Sequence, residues 1–253
     1  MPRPRITILA GPGEASTILI NRLAPLGEVT VLMEAPLSRA QLLRGRLRRL
    51  GAIDVLGQVA FMALALPLLR REARPRLAEI RAEHGLETRA PEVPINHIES
   101  LNGPDAPARL AESRPDLVIV HGTRILRAPL LEAVPAPMIN LHAGITPDYR
   151  GVHGGYWALL EGRKEACGVT AHLVDRGVDT GRIISQATIS PGRGDNFVTY
   201  PLLQLAAGLP LLEAAIEAVG RGRLTTGAPG GEGRQHYHPT LWRYLRGRAR
   251  GVR

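Results

Sequence analysis

Apolar residues run through the chain in short blocks punctuated by glycine and proline, and the blocks follow two rhythms. Arg5-Ile-Thr-Ile-Leu-Ala10 is a continuous apolar run of strand length. A helical spacing follows from Ser16 (Ile18, Leu19, Ile20, Leu23), and Glu28 to Met33 reads as a second strand. Strand, glycine-containing loop, helix, strand is the opening of a doubly wound α/β layer. Further on, Asp116–His121, the run from Pro137 to His142, Gly168–Val174 and Ile183–Ile189 read as strands. Helical patterns start at Asp105, Pro129 and Val152, and a long one covers Asn196 to Val219 despite Pro201 and Pro210. The expected fold is α/β: a Rossmann-like, mostly parallel twisted sheet with helices on both faces.

Residues 38–76 break this rhythm as a helical insertion. Ser38 to Leu50 is an arginine-rich helical pattern, Ile53 to Leu69 is nearly all apolar, and Arg70, Arg71, Arg74 and Arg76 follow. The apolar run has 17 residues, the lower edge of the roughly 17–25 needed to cross a bilayer. Three readings stand side by side: a helix buried in the core or a dimer interface, a helix lying at a membrane surface, and a true span. From Gly220 the chain turns Gly- and Arg-rich. The expected division is therefore a catalytic domain over 1–220, carrying the insertion, and a basic tail over 221–253. That tail is expected to pack loosely or be partly disordered, with His236 and His238 on the surface.

Polar residues placed inside apolar strands mark where chemistry can sit. In Met138-Ile-Asn-Leu-His142, Asn140 and His142 alternate and so share a strand face. Gly144, Pro147 and Gly151 then turn the chain into a loop. Thr170 and His172 repeat the alternation on another strand, and Asp175 and Asp179 lie in the turn that follows. The bland reading of each pair is a satisfied core strand. The active reading is nitrogen chemistry: an attacking amine needs a proton acceptor, and a tetrahedral adduct needs donors at its oxyanion. Asn140 and a protonated His142 fit as donors, with Asp179 accepting or relaying the proton. No serine elbow accompanies them, and Cys167 lies in a strand approach, so direct transfer is favoured over a covalent enzyme intermediate. No pair of histidines has metal-ligand helical spacing, and no metal is expected. Gly11, Gly13 and Ser16, in the first strand-to-helix loop, are candidates for holding a phosphate at a helix N-terminus, although the loop lacks a GxGxxG or Walker pattern.

Composition changes the picture little. Hydrophobic residues at 44% and charged residues at 22% are ordinary for a soluble globular protein. Cys167 is the sole cysteine, which fits a reducing, cytoplasmic compartment. The N-terminal residues enter a strand without the apolar stretch of a signal peptide. The net charge of +9 comes almost wholly from arginine, with Lys164 the lone lysine, and aromatic residues are only 4%. Arginine bias of this kind fits a GC-rich genome, so nucleic acid is not an expected partner. The run 53–69 offers a dimer contact or a peripheral one at the inner membrane surface.

Asn140-Leu-His142, Pro147-Asp-Tyr-Arg-Gly151 and Asp175-Arg-Gly-Val-Asp-Thr-Gly181 together resemble the formyltransferases that use 10-formyltetrahydrofolate. That family includes glycinamide ribonucleotide, methionyl-tRNA and sugar-nucleotide formyltransferases. The resemblance runs from about Asp116 to Ile189. It implies Asn140, His142 and Asp179 as the catalytic set, with Thr170, His172 and His153 in support. It also implies a folate pocket between Arg124-Ile125-Leu126 and the wall from Asp175 through Gly177 and Val178. The co-substrate would be 10-formyltetrahydrofolate, and the acceptor a small, phosphorylated primary amine such as glycinamide ribonucleotide or a nucleotide-linked amino sugar. The insertion 38–76 belongs to neither the glycinamide ribonucleotide nor the tRNA pattern. Two rivals stand beside this reading: a formyltetrahydrofolate hydrolase, and a non-catalytic membrane-associated relative.

Overall fold

The structure, a computed structural model, describes residues 3–228 and 233–253. The first two residues and 229–232, part of the Gly-rich tail, lie outside the described residues.

The six apolar runs predicted as strands assemble into one sheet, joined at its edge by Ile95–Ile98, which was not predicted as a strand. Its strands are β1 (Arg5–Ala10), β2 (Glu28–Glu34), β3 (Ile95–Ile98), β4 (Leu117–His121), β5 (Met138–His142), β7 (Gly168–Leu173) and β8 (Ile183–Thr188), in the order β3-β2-β1-β4-β5-β7-β8. A three-residue strand, β6 (Tyr149–Gly151), lies outside this sheet. The first five strands of that order run parallel, and β7 and β8 are antiparallel additions. β1 and β4 sit in the middle and are buried on both faces, which is why they read as unbroken apolar runs.

Each face has its own cover. Helices α1 (Glu14–Leu23) and α8 (Tyr200–Gly220) bury Ile18, Leu19, Leu205, Leu209 and Leu212 against Ile6, Ile8, Ile139, Leu141, Val169 and Ala171. On the opposite face, α5 (Ala106–Glu112) and the single turn α6 (Ala128–Leu131) pack Leu110 and Leu130 onto Leu9, Val118 and Val120. Fully burying each such Leu, Ile or Val stabilises the fold by about 1.5–3 kcal/mol. α8 starts later than its apolar pattern, at Tyr200. Asn196 and Thr199 tie the preceding turn instead, the Thr199 hydroxyl accepting from the Asn196 N–H at 2.9 Å and Asn196 Oδ1 from the Val198 N–H at 2.9 Å.

The insertion is helical throughout. α2 (Arg39–Leu50) opens on Ser38, whose side chain accepts from the Gln41 N–H while Gln41 reaches back to the Ser38 N–H, a capping box. α3 (Ala52–Ala60), a π-helical turn at Phe61–Ala65, and α4 (Leu66–Glu83) then form one continuous helix. Its inner side buries Val55, Phe61, Leu69 and Ala73. Phe61 meets Phe197 edge-on with centroids 5.0 Å apart, and Tyr244 at 5.1 Å.

The C-terminal residues overturn the expectation of a loose tail. β9 (Arg234–His236) pairs in parallel with β6, and α9 (Leu241–Ala249) carries the buried Tyr244 into the aromatic cluster around α7 (Gly154–Leu160). His236 is 5% exposed and stacks on Tyr149 and Trp157. His238 faces His153 across a 3.0 Å Nδ1···Nε2 hydrogen bond. Neither histidine lies on the surface as expected. The contacts that bury them span about eighty residues, and no local pattern announces them.

These buried histidines make the fold acid-sensitive. Burial, and after it the Arg46 charge, pushes His238 down to about 4, and burial alone takes His121 to about 4. His153 is lowered well below its usual value by burial, then by His238 and Arg46. Below pH 6.5 the unfolded chain therefore binds more protons than the folded one, so stability is full above that pH and is lost as pH falls towards 4. For His238 and His121 the loss is ~3 kcal/mol each at pH 4. Melting temperature should fall steadily from pH 7 to pH 5, with a shallower slope in His238→Gln. Thermal unfolding followed by circular dichroism checks this, and equal melting temperatures across that range would refute it.

Candidate active site

Strand alternation sorts the middle of the sheet into a core face and a polar face. On β5, Ile139 and Leu141 point to α8, so Asn140 and His142 face the other way; on β7, Val169 and Ala171 pack inward and Thr170 and His172 do not. The antiparallel register sets Asn140 opposite His172, and His142 opposite Thr170. Two alternations far apart in sequence thus become one polar patch.

Asp179 joins this patch from the turn between β7 and β8. Asp175 builds the turn, its Oδ1 accepting from the Gly177 N–H at 2.9 Å and the Thr180 hydroxyl at 2.8 Å. Asp179 takes a left-handed φ of 53°, a conformation that Asp tolerates better than most residues. Its Oδ2 accepts the Gly151 N–H at 2.8 Å and lies 3.4 Å from His142 Nδ1. Gly151 itself has φ 90°, and a Cβ there would lie 2.3 Å from the His236 carbonyl. Only glycine brings this N–H to the carboxylate while β9 lies alongside.

The hydrogen bonds decide the tautomers. Carbonyl oxygens only accept, so His142 Nε2–H donates to the Tyr149 carbonyl at 2.7 Å and His172 Nδ1–H to the Leu173 carbonyl at 2.8 Å. His172 Nε2 is then left to accept the Asn140 amide N–H at 3.1 Å. The second Asn140 N–H has only a 3.5 Å contact with Asp179 Oδ1, long for a hydrogen bond, and remains available to an incoming oxygen. Burial lowers the His142 pKa below its usual value, although Asp179 and the Tyr149 carbonyl pull the other way. At Asp179 burial works upward, but His172, His142 and the Gly151 N–H outweigh it and hold the carboxyl below its ordinary range. At neutral pH the pair is thus a carboxylate facing the Nδ1 lone pair of a neutral imidazole, an arrangement ready to receive one proton.

Asn140, His142, His172 and Asp179 line a cleft of about 450 Å³. One wall carries Arg124, Ile125 and Leu126, and the other Asp175, Gly177 and Val178. The first wall is pinned by residues that sequence reading missed. Buried Glu34, at the end of β2, accepts the Arg124 N–H at 3.1 Å and the Leu101 N–H at 2.9 Å. Asn102 donates to the Ile125 carbonyl at 3.0 Å and accepts the Arg127 N–H at 2.8 Å. An acid closing an apolar strand was the visible signal for Glu34; Asn102 had none. His121, Arg49 of α2, and Gln235–Tyr237 of the tail also line the cleft.

Other sequence candidates lie elsewhere. Thr170 is fully buried, donates to the Gly144 carbonyl at 2.8 Å and accepts from the Thr146 N–H and Gln186, so it fixes the loop beneath His142. His153 sits with His238 and Phe197 and does not line the cleft. Gly11, Gly13 and Ser16 lie outside it as well. Gly11 packs against the Gly122 carbonyl, which a Cβ would approach to 2.0 Å. Glu14, in the first turn of α1, binds Arg81 at 2.8 Å. Among the described residues, no group of three or more His, Cys, Asp or Glu side chains is arranged to hold a metal.

Residues 88–197 match the family model described as formyl transferase. The chain is 36% identical over 116 residues to a methionyl-tRNA formyltransferase of Thermodesulfovibrio yellowstonii, covering 46% of this chain and 37% of that protein. It is 32% identical to one from Anaeromyxobacter dehalogenans over 64% of this chain and 57% of that protein. The chain thus spans between about a third and just over half of the curated relatives it matches. Its fold is shared with glycinamide ribonucleotide transformylase 1 from Symbiobacterium toebii, at a TM-score of 0.58 and 24% identity over 94% of both chains. A 4-N formyltransferase from Francisella tularensis has a TM-score of 0.56 at 17% identity, over 92% of this chain and 76% of that one. The matched region spans β4, β5, β7 and the Asp175–Gly181 turn, so the part of the chain that builds the cleft is similar to the formyl transferases.

Proposed function

We propose that the protein is an N-formyltransferase that moves a formyl group from 10-formyltetrahydrofolate, the donor its family uses, to the primary amine of a small, phosphorylated acceptor. The observation that carries this reading is the meeting of Asn140, His142 and Asp179 at the floor of one cleft between the Arg124–Leu126 and Asp175–Val178 walls. Exposed Ile125 and buried Leu126 suit the flat ring of a pterin, while the cleft's polar floor suits the formyl group.

In this reading the amine nitrogen attacks the formyl carbon, and the spare Asn140 N–H donates to the oxygen as negative charge builds there. Asp179 accepts the proton that the amine loses and shares it with His142 Nδ1 at 3.4 Å. His142 becomes a cation beside the adduct only as that charge develops. Collapse breaks the bond from carbon to the folate N10, and the same proton leaves with that nitrogen. The acceptor class rests on the fold shared with glycinamide ribonucleotide enzymes and on the absence of any carboxylate but Asp175 and Asp179 among the cleft residues.

An acceptor screen with 10-formyltetrahydrofolate, following tetrahydrofolate release, tests this. Release should depend on a phosphorylated amine and saturate with it. Formate appearing equally fast without any amine would overturn transfer in favour of hydrolysis.

A further inference from the structure

The insertion leaves a face of the molecule that the formyl-transfer site does not use. None of the twelve residues of α2 is buried, although Leu42, Leu43 and Leu47 are among them. On the outer side of the following helix, Ile53, Leu56, Leu64 and Leu68 are 78%, 67%, 62% and 63% exposed. Their spacing of three, eight and four residues keeps them on one stripe. α9 packs beside this helix, its Trp242 ring lying against Gly57, and it adds exposed Trp242 and Leu245.

Arginines frame this apolar surface. Residues 38–76 hold nine arginines against two acids, Asp54 and Glu72. Among the described residues, Arg76 is ion-paired, whereas Arg39, Arg44, Arg48, Arg70, Arg71 and Arg74 have no carboxylate partner, and Arg49 turns to the cleft instead. Glu72 is taken by Arg253. Arg243 and Arg246 extend the positive rim on α9.

We propose that this face docks the protein onto an anionic lipid bilayer, with the leucines and Trp242 at the acyl boundary and the arginines on lipid phosphates. Bulky exposed aliphatic residues flanked by free arginines are what such a surface selects, and tryptophan favours the same interface. A second copy of this chain is a poor occupant, because a two-fold contact would set these arginines against themselves. Nucleic acid is a poor one too: the insertion's single aromatic, Phe61, is buried, leaving no stacking platform there. A membrane span is also disfavoured, although Ala52–Glu83 is long and apolar enough to cross a bilayer. Val55, Phe61, Leu69 and Ala73 are committed to the protein core, so the helix lies on the surface rather than leaving it.

Flotation with vesicles tests docking and does not depend on formyl transfer. The protein should float with phosphatidylcholine vesicles containing about 30% phosphatidylglycerol and not with pure phosphatidylcholine, with at least a tenfold loss of binding at about 0.5 M salt. The triple variant Ile53→Ser, Leu56→Ser, Leu64→Ser should lose binding while keeping its circular dichroism spectrum, since all three side chains are exposed. Arg44→Glu with Arg48→Glu should lose it likewise. Tryptophan emission should shift to the blue as anionic vesicles are added. Three outcomes would overturn the proposal: no flotation with anionic vesicles, salt-sensitive binding to transfer RNA in place of vesicles, or a dimer in light scattering that the triple variant dissolves.

Discussion

Asp179→Asn should lose formyl transfer by about 1,000-fold or more, within the range removed with a general base, while folate still binds. Asn has the same shape, and its oxygen can still accept the Gly151 N–H that Oδ2 now accepts at 2.8 Å. The left-handed φ of 53° also suits Asn. What goes is the charge, and with it the acceptor for the amine's proton and the anion facing His142 Nδ1. A factor of 1,000 corresponds to ~4 kcal/mol of transition-state stabilisation, far more than a neutral hydrogen bond contributes. Tetrahydrofolate release measures the loss, and quenching of tryptophan fluorescence by a folate analogue measures binding. Near-normal turnover would remove Asp179 from the reaction, and lost folate binding would make it a wall residue instead.

The wild-type pH profile follows from the same pair. Burial lowers the His142 pKa, and Asp179 is held below the ordinary carboxylate range by its neighbours against the effect of burial. The form able to take up a proton is therefore full at neutral pH. Activity should rise with pH along a limb whose midpoint lies below pH 6.5, and Asp179→Asn should erase that limb.

Much of this site was legible because strand geometry is a local rule. The alternation Asn140-Leu-His142 requires both polar side chains to share a face, and Thr170-Ala-His172 repeats it. The sheet then needed only the register Asn140 opposite His172 to join them. The turn around Asp179 was legible too, since Asp175, Gly177 and Gly181 are the residues such a turn uses. Pairings made over long range by very short segments were not legible. β6 and β9 are three residues each and meet across eighty-five positions, too short for any periodicity to show. The same limit hid Asn102 and moved His153 from a supporting role to a buried partner of His238. The insertion was half legible: its helices were plain, but which side of Ile53–Leu69 is buried depends on Phe197 and Tyr244, far along the chain.

Asn140→Ala should lower kcat by about 100–1,000-fold, the usual effect of removing one oxyanion donor, and leave the Kd for folate within a few fold. Asn140 spends one N–H on His172 Nε2 at 3.1 Å, and that bond fixes which way its amide faces. The other N–H has no better partner than Asp179 Oδ1 at 3.5 Å. A donor held in place yet weakly engaged strengthens its bond only when charge appears on the substrate oxygen, so its loss falls on kcat rather than on ground-state binding. His172 tells a donor from a mere spacer. In His172→Phe the Asn140 amide loses its acceptor and is free to turn, so kcat should drop in that variant too. Steady-state kinetics on both variants separate the cases. Should Asn140→Ala raise KM with kcat unchanged, Asn140 only shapes the cleft and is not the oxyanion donor.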